Sequence, residues 1–144
     1  MRNMGLDVGD RRIGVALSDS EQILASPLTT IVRYDDNTAI QSILNLVAKY
    51  DVQKIIVGLP YSLRGTLSAQ AEKVKIFVET LSPRTKIPIE FRDERLSTVA
   101  VNRMFIESGK KKSKQKEQRD SAAAAYILQG YLDSLKTSTD DEIH

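Results

Sequence analysis

The sequence contains no cysteine, and its only histidine, His144, is its last residue. The lack of cysteine excludes disulfide bonds and thiolate metal sites, and the position of His144 argues against a Cys-His or Ser-His catalytic pair. Any bound metal must therefore be held by oxygen ligands, which favours magnesium or manganese over zinc. No apolar run approaches the ~20 residues of a membrane span, so we expect no membrane association and a cytoplasmic location.

The chain is short and nearly neutral, with 144 residues and a net charge of +2. This is the size of one ordinary domain, and so small a net charge does not by itself indicate a nucleic-acid-binding protein. We expect one domain over residues 1–136 and a polar, frayed C-terminal tail over residues 137–144.

The stretch from Gly5 to Asp19 predicts a β-hairpin, because apolar residues alternate on both sides of a Gly9-Asp10 turn. Its other face carries almost no side chains apart from one acid, and its members are Gly5, Asp7, Gly14 and Ala16. A carboxylate in mid-strand is costly to bury unless a cation or hydrogen-bond donors compensate it. For Asp7 alone, hydrogen bonds from the turn are the simpler explanation; further carboxylates aimed at the same place would favour a cation.

Periodicity predicts the rest of the fold. Residues 22–25 and 28–32 indicate a third strand interrupted by Pro27, which suits a sheet edge or a bulge. Next come, in order, a helix after residues 35–37, a strand over 54–59, a loop over 60–66, a helix around 74–81, a strand around 87–91, a short helix between 97 and 109, and a last helix from about 117 to 135. This order predicts an α/β fold: a mixed five-stranded sheet, with three antiparallel strands and then two parallel strands reached through helical crossovers, and helices on its faces. The first strand is expected near the centre.

Two further acids are placed to meet Asp7. Glu94 follows the fifth strand, and Asp120 lies on the core-facing stripe of the last helix. Three carboxylates from distant parts of a chain can hold two divalent cations, which together activate a water and stabilise the leaving oxygen of a phosphodiester. The helix dipole also favours an acid near a helix start, which explains Glu94 or Asp120 singly without any chemistry. We predict that all three acids are catalytic and bind Mg²⁺ or Mn²⁺.

Basic and hydroxyl residues around these acids are candidates for binding substrate. The basic run 110–119 leads into the helix that carries Asp120, where it either contacts backbone phosphates or forms a solvated surface. Arginines near the acids can bind phosphate or form surface ion pairs with Asp10 and Asp93, and hydroxyls at a helix start can bind phosphate or only cap the helix. The predicted substrate-binding residues are Arg11, Arg12, Arg95, Ser97, Thr98, Lys110, Lys111, Lys112 and Lys114.

Four segments, in this order and spacing, resemble the YqgF (RuvX) family over nearly the whole chain. They are Gly5–Asp19, Ile56–Pro60 with Gly65-Thr66, Asp93–Thr98 and Asp120–Gln129. The resemblance implies a ribonuclease H-like fold, and it places the family's acidic triad on Asp7, Glu94 and Asp120. Members of the family are described as Holliday junction resolvases and as nucleases that process the 5′ end of pre-16S ribosomal RNA.

The leading hypothesis is a metal-dependent endonuclease that acts on structured nucleic acid. The resemblance alone favours a ribosomal RNA precursor over branched DNA. A non-catalytic nucleic-acid or ribosome-associated module is an alternative class, and the presence of all three acids argues against it. An actin-like ATPase or sugar kinase would need two lobes, for which 144 residues leave no room. The sequence does not indicate an oligomeric state.

Overall fold

A computed structural model describes residues 1–60, 68–93 and 112–143 of the protein, and within the last range the side chains of residues 120–136. Its elements, in chain order, are β1 (Arg2–Val8), β2 (Arg12–Ser18), β3 (Ala25–Val32), α1 (Asp36–Lys49), β4 (Val52–Leu59), α2 (Ala69–Leu81), a short 3₁₀ turn (Ser82–Arg84), β5 (Ile89–Asp93) and α3 (Lys112–Ile143). None of the helices in these ranges has the length and apolar composition needed to cross a membrane.

The five strands form one mixed sheet in the order β3-β2-β1-β4-β5. The pairs β1–β2 and β2–β3 are antiparallel, whereas β1–β4 and β4–β5 are parallel. The predicted sheet is therefore confirmed, with β1 at its centre. Because β1, β4 and β5 run in the same direction, their C-terminal ends lie at the same edge of the sheet.

Each face of the sheet is covered by different helices. The face with Met4, Leu6 and Val8 packs against α1 and α2, in a core cluster that includes the fully buried Phe77. The other face packs against α3, through a second cluster that includes Ile56. Neighbouring residues of β4 alternate between these clusters, and this explains why β4 is a continuous apolar run in the sequence.

The third strand is shorter than predicted, because β3 begins at Ala25 and residues 22–24 belong to a loop. Gln22 has a φ of 60°, and the Asp19 carboxylate accepts hydrogen bonds from the backbone N–H groups of Ile23 and Leu24, at 2.7 and 3.3 Å. A loop closed by its own acid replaces the strand there. The prediction for Pro27 is confirmed, since it lies in an edge strand beside an irregularity in the β2–β3 register.

The last helix is longer than predicted. It runs from Lys112 to Ile143, so it includes residues 112–116 of the basic run and residues 137–143 of the predicted tail. No proline or glycine occurs between residues 112 and 129, and Lys, Gln, Glu, Arg and Ala are all good helix formers. The predicted short helix between 97 and 109 lies outside the described residues, as does the predicted loop from residue 61 onward.

Candidate active site

The first acid of the predicted triad, Asp7, lies near the C-terminal end of the central strand and is half-buried. Its cross-strand partner on β2 is Gly14, so no side chain stands beside it there. The hairpin face that carries Asp7 is the one covered by α3, because neighbouring residues of a strand point to opposite faces of the sheet. The only charged side chain in the middle of this face of β1 therefore faces the helix that contains Asp120.

Two glycines allow the backbone of α3 to touch the sheet. A Cβ at Gly14 would lie 1.9 Å from the carbonyl oxygen of Asp120, and a Cβ at Gly5 would lie 2.7 Å from that of Ala124. Both distances are shorter than any real Cβ contact, so the helix can lie this close only where the side chain is a hydrogen atom. Since Gly14 is the cross-strand partner of Asp7, this packing places Asp120 next to Asp7. Two of the three predicted acids are thereby brought together.

Arg12 forms an ion pair with Asp120, with 3.0 Å between Nε and Oδ2. The side chains are partly exposed, at 36% for Arg12 and 25% for Asp120. The sequence offered Asp10 and Asp93 as partners for the arginines; instead, Arg12 pairs with a predicted metal ligand, and Asp10 pairs with Lys73 at 3.6 Å. The Arg12 guanidinium thus supplies positive charge at the position where the sequence predicts a cation.

An open cleft of about 280 Å³ borders this ion pair. Its lining residues come from the β1–β2 turn and from the part of α3 nearest the turn, and they are Gly9, Asp10, Arg11, Arg12 and Asp120. Arg11 is exposed, and no hydrogen bond or ion pair of its side chain occurs within the described ranges. Guanidinium and carboxylate groups on the walls of one cleft can bind a phosphodiester and a cation side by side.

The chemistry of Asp7 and Asp120 suits a hard divalent cation, because both side chains offer only carboxylate oxygens. Both acids also make interactions with the surrounding protein. In the part of the chain that the structure describes, no cluster of three or more acidic or histidine side chains could hold a metal. Glu94, the third predicted ligand, lies outside that part, but the preceding residue, Asp93, ends β5 and pairs with Leu59 at the end of β4. In the sequence, Glu94 therefore directly follows a strand that ends at the sheet edge where Asp7 lies.

The structure does not describe the side chains of the other predicted substrate-binding residues. Five of them lie outside the described residues: Arg95, Ser97, Thr98, Lys110 and Lys111. Lys112 and Lys114 lie in the first turn of α3, and their side chains are not described.

The match to a known family rests on nearly the whole length of the chain. The model of the RuvX family, described as Holliday junction resolvase, matches residues 1–134. The chain belongs to the RuvX family. Curated relatives of this RuvX chain include a protein of Roseiflexus sp. (strain RS-1), 50% identical over 135 residues, and one of Clostridium acetobutylicum, 44% identical over 135 residues. These matches cover 94% of this chain and 96% and 100% of the relatives, and both relatives are named "Putative pre-16S rRNA nuclease".

Solved structures show the same fold as this RuvX chain. The T. thermophilus RuvC structure in complex with a Holliday junction substrate has a TM-score of 0.61 and 13% identity, covering 95% of this chain and 96% of that one. The Fowlpox virus resolvase in complex with Holliday junction DNA has a TM-score of 0.58 and 14% identity, covering 94% and 99%. The fold of the chain is ribonuclease H-like, as the sequence resemblance implied. The family is one of nucleases that act on nucleic acid, and nucleases of this kind generally depend on divalent metal ions.

Sequence reasoning missed Arg33, which supports the wall of the cleft in this RuvX chain. Its Nη1 donates a hydrogen bond to the carbonyl oxygen of Gly9 at 2.8 Å, and its Nε donates to Oδ1 of Asp36 at 2.8 Å. Its guanidinium also lies over the Phe77 ring, 4.8 Å from the ring centre. No motif indicates this role, because the three partners come from different elements of the fold.

A second missed contact lies on the face of the sheet that α3 covers. Lys54 donates a hydrogen bond to the hydroxyl of the buried Tyr131 at 3.0 Å, and its ammonium is 3.6 Å from the carboxylate of Glu90. The hydrogen bond to Tyr131 and the nearby Glu90 charge raise the pKa of Lys54 above its ordinary value, against the effect of burial. This contact ties α3 to the two strands at the other end of the sheet from Asp7.

Proposed function

We propose that this chain is a Mg²⁺- or Mn²⁺-dependent endonuclease that processes the 5′ end of pre-16S ribosomal RNA. The observation that carries the proposal is the contact between Gly14 and α3, which brings Asp120 next to Asp7 at the sheet edge from which the sequence continues into Glu94. The names of the relatives support RNA as the substrate. Because ribosomes of bacteria are assembled in the cytoplasm, a cytoplasmic location is part of the proposal.

The acids are proposed as the metal ligands, since Asp7, Glu94 and Asp120 would offer carboxylate oxygens to one or two cations. When bound, such cations activate a water and stabilise the leaving oxygen in phosphodiester hydrolysis. The half-buried position of Asp7 and the close fit of α3 would hold the oxygens of Asp7 and Asp120 in place, which would reduce the reorganisation that the reaction requires. The backbone contact at Gly14 therefore has a catalytic purpose as well as a structural one.

The basic residues are proposed to bind the phosphate backbone on both sides of the reacting bond. Arg12 uses Nε to hold Asp120, and in the described part of the chain its terminal nitrogens have no other partner. Those nitrogens and the exposed Arg11 belong to residues that line the open cleft of about 280 Å³, where a phosphodiester would bind. Lys110, Lys111, Lys112 and Lys114 would extend the contact along α3, with Arg95, Ser97 and Thr98 near Glu94. A phosphate at Arg12 would lie next to the acids, since Asp120 is already its partner.

The second candidate function is resolution of branched DNA, which the description of the family favours. A third candidate is a binding module without catalysis. The two nucleases share the same acids and the same metal chemistry, so the site does not separate them. Only the substrate that is cut can do so.

The deciding experiment offers the purified protein two substrates: a 5′-extended fragment of 16S ribosomal RNA and a four-way DNA junction. Each is incubated with Mg²⁺, with Mn²⁺ and with excess EDTA. We expect cleavage of the RNA with either metal and none with EDTA. Cleavage of the junction alone would establish the resolvase, and tight binding without cleavage of either substrate would establish the binding module.

Asp7→Asn provides the matched loss-of-function variant, because asparagine keeps the shape of the side chain and removes its charge. We expect it to abolish cleavage while the thermal unfolding temperature changes little. Asp51→Asn is the control: it removes the same charge at an exposed turn before β4, at the other end of the sheet. Asparagine tolerates the positive φ of 53° at that position. Full cleavage by Asp7→Asn would refute the metal site.

A further inference from the structure

Tyr34 is an exposed aromatic residue beside the candidate active site. It lies between β3 and α1, and 87% of its surface is exposed, the highest value among the large apolar and aromatic side chains that the structure describes. No hydrogen bond, ion pair or ring contact involves it within that part of the chain. A tyrosine ring in this position contributes little burial to the fold. The ring is therefore accessible to a ligand.

The backbone on both sides of Tyr34 is held in place. The backbone N–H of Arg33 donates a hydrogen bond to the carbonyl oxygen of Arg11 at 2.8 Å. Its side chain donates hydrogen bonds to Gly9 in the β1–β2 turn and to Asp36 in α1. On the other side, Asp35 caps α1 by accepting a hydrogen bond from the N–H of Thr38 at 2.8 Å. The ring is thus presented from a fixed backbone, so little backbone entropy is lost when it binds a ligand.

Tyr34 lies at the same edge of the sheet as the acids. The last residue of β3, Val32, pairs with Arg12, the first residue of β2. In the order β3-β2-β1, two strand spacings separate β3 from the strand of Asp7, a distance of ~10 Å across the sheet. The backbone bond from Arg33 to Arg11 also joins the segment of Tyr34 to the wall of the cleft. A polynucleotide in the cleft would reach Tyr34 within a few nucleotides.

We propose that Tyr34 and Arg11 form a stacking site for an unpaired base that flanks the cleaved bond. This inference rests on the proposed function, in that the substrate is nucleic acid. Proteins bind single strands through cations that contact the backbone and aromatic rings on which bases stack. Proteins that recognise RNA also favour unpaired bases that stack on tyrosine or arginine. Arg11 supplies the exposed cation and Tyr34 the ring, so the site selects a single-stranded segment next to the cleft.

The absence of tryptophan from the sequence allows a direct test. Tyr34→Trp introduces a single tryptophan, whose fluorescence a stacked base quenches. The probes are a single-stranded RNA oligonucleotide and the same RNA in a perfect duplex, in EDTA so that nothing is cut. Binding is followed independently by the anisotropy of a dye on the RNA. Tyr126→Trp is the control, because Tyr126 is also exposed, at 45%, but lies on α3.

We expect the single strand to quench the fluorescence of Tyr34→Trp strongly and the duplex to quench it weakly. Neither RNA should quench Tyr126→Trp appreciably. In the same binding assay, Tyr34→Ala should weaken binding of the single strand roughly tenfold, whereas Tyr34→Phe, which keeps the ring, should stay within about twofold. A single-stranded DNA of the same sequence should behave like the RNA, because stacking does not need the 2′-hydroxyl.

The outcomes separate this inference from the proposed function. Binding without quenching, or equal affinities of the alanine and phenylalanine variants, would refute the stacking site and leave the nuclease proposal intact. Quenching by the oligonucleotide, with no cleavage of either the 5′-extended fragment or the four-way junction in Mg²⁺ or Mn²⁺, would support the stacking site and refute the nuclease. If neither RNA nor DNA bound at all, the stacking site would be refuted, and the cleavage assay on the 5′-extended fragment would decide the nuclease separately.

Discussion

The carbonyl oxygen of Asp120 lies so close to the α-carbon of Gly14 that a Cβ at Gly14 would be only 1.9 Å away. This contact joins β2 to α3 and fixes the position of one predicted metal ligand relative to the other. Backbone atoms on both sides leave no flexible side chain that could move aside. The geometry of the acids thus depends on a residue that has no functional group of its own.

Gly14→Ala should therefore harm both the fold and the site. The added methyl group must push α3 away from the sheet, and we expect a loss of about 1–3 kcal/mol in the free energy of unfolding. Cleavage should fall by more than the unfolded fraction explains, because Asp120 moves with the helix. Urea denaturation and a cleavage assay on the same preparation measure the two effects.

Gly130→Ala is the matched control, on the same helix. A Cβ there would lie 3.1 Å from Nε of Arg92, near the end of a flexible side chain, and alanine is the better helix former by about 1 kcal/mol. We expect unchanged or slightly higher stability and normal cleavage. If the two variants behaved alike, the contact at Gly14 would not be what positions Asp120.

Much of this arrangement is predictable from local patterns. The alternation in β1 and β2 predicts the hairpin and the small-residue face around Asp7, and the helical period places Asp120 on the core-facing side of the last helix. The patterns do not show that the backbone of a helix fills the space over Gly5 and Gly14, because that depends on how elements distant in sequence pack together.

The missed features have the same origin. The Arg12–Asp120 ion pair joins residues 108 positions apart, and a sequence pattern does not specify such a pairing. The loop that replaces the start of the third strand depends on a positive φ at Gln22. Glutamine is not a residue type that indicates a positive φ. The early start of α3 at Lys112 follows from the helix propensity of the residues in the basic run. The high charge of this run favoured its interpretation as a polar segment outside the helix.

The ion pair between Arg12 and Asp120 predicts an effect on metal binding. Arg12→Gln removes a positive charge that competes with a cation for Asp120, so we expect tighter binding of Mn²⁺ in the absence of substrate. The gain should be at most about fivefold, because a partly exposed ion pair is worth only ~1 kcal/mol or less. Titration of free Mn²⁺ by electron paramagnetic resonance measures it.

Arg11→Gln is the charge-matched control, because Arg11 lies in the same cleft and forms no ion pair within the described residues. Its Mn²⁺ affinity should stay near that of the unchanged protein, while its affinity for RNA falls. Weaker Mn²⁺ binding by Arg12→Gln would show that Arg12 orients Asp120 for the metal and does not compete with it.

The lysines that lead into α3 should control the salt dependence of nucleic-acid binding. Replacing Lys110, Lys111, Lys112 and Lys114 with glutamine should weaken binding to every sequence. It should also flatten the slope of log affinity against log salt, by roughly 0.9 for each lost phosphate contact on duplex DNA and less on single strands.

The control replaces four lysines elsewhere in the chain and should leave the slope unchanged; they are Lys49, Lys75, Lys86 and Lys136. If both quadruple variants had the slope of the unchanged protein, the basic run would be only a solvated surface.

The contact between Lys54 and Tyr131 predicts a pH dependence of stability. Since the hydrogen bond to Tyr131 raises the pKa of Lys54 in the folded chain, the ammonium stabilises the fold below its unfolded pKa of ~10.4. That contribution is lost as the pH rises through the folded pKa.

In Tyr131→Phe we expect the pKa of Lys54 to fall, measured by NMR of the lysine side chain. The stability difference from the unchanged protein should be present at pH 7 and shrink in strong alkali. Tyr126→Phe should change neither quantity, and a constant difference across pH would mean that only packing was lost.

The sharpest test of the site compares two acids on the same helix. Asp120→Asn keeps an oxygen that can accept the Arg12 hydrogen bond but removes a proposed metal ligand, and we expect turnover at saturating metal to fall at least a hundredfold, or ~2.7 kcal/mol in transition-state stabilisation. Asp133→Asn removes the same charge at an exposed position thirteen residues further along α3, a distance of ~20 Å. There the carboxylate accepts a hydrogen bond from Gln129 at 3.0 Å, and we expect turnover within about threefold of normal. Equal losses in single-turnover assays would mean that the acids act through general electrostatics, and a third metal ligand would then have to be sought at Asp93 or Asp10.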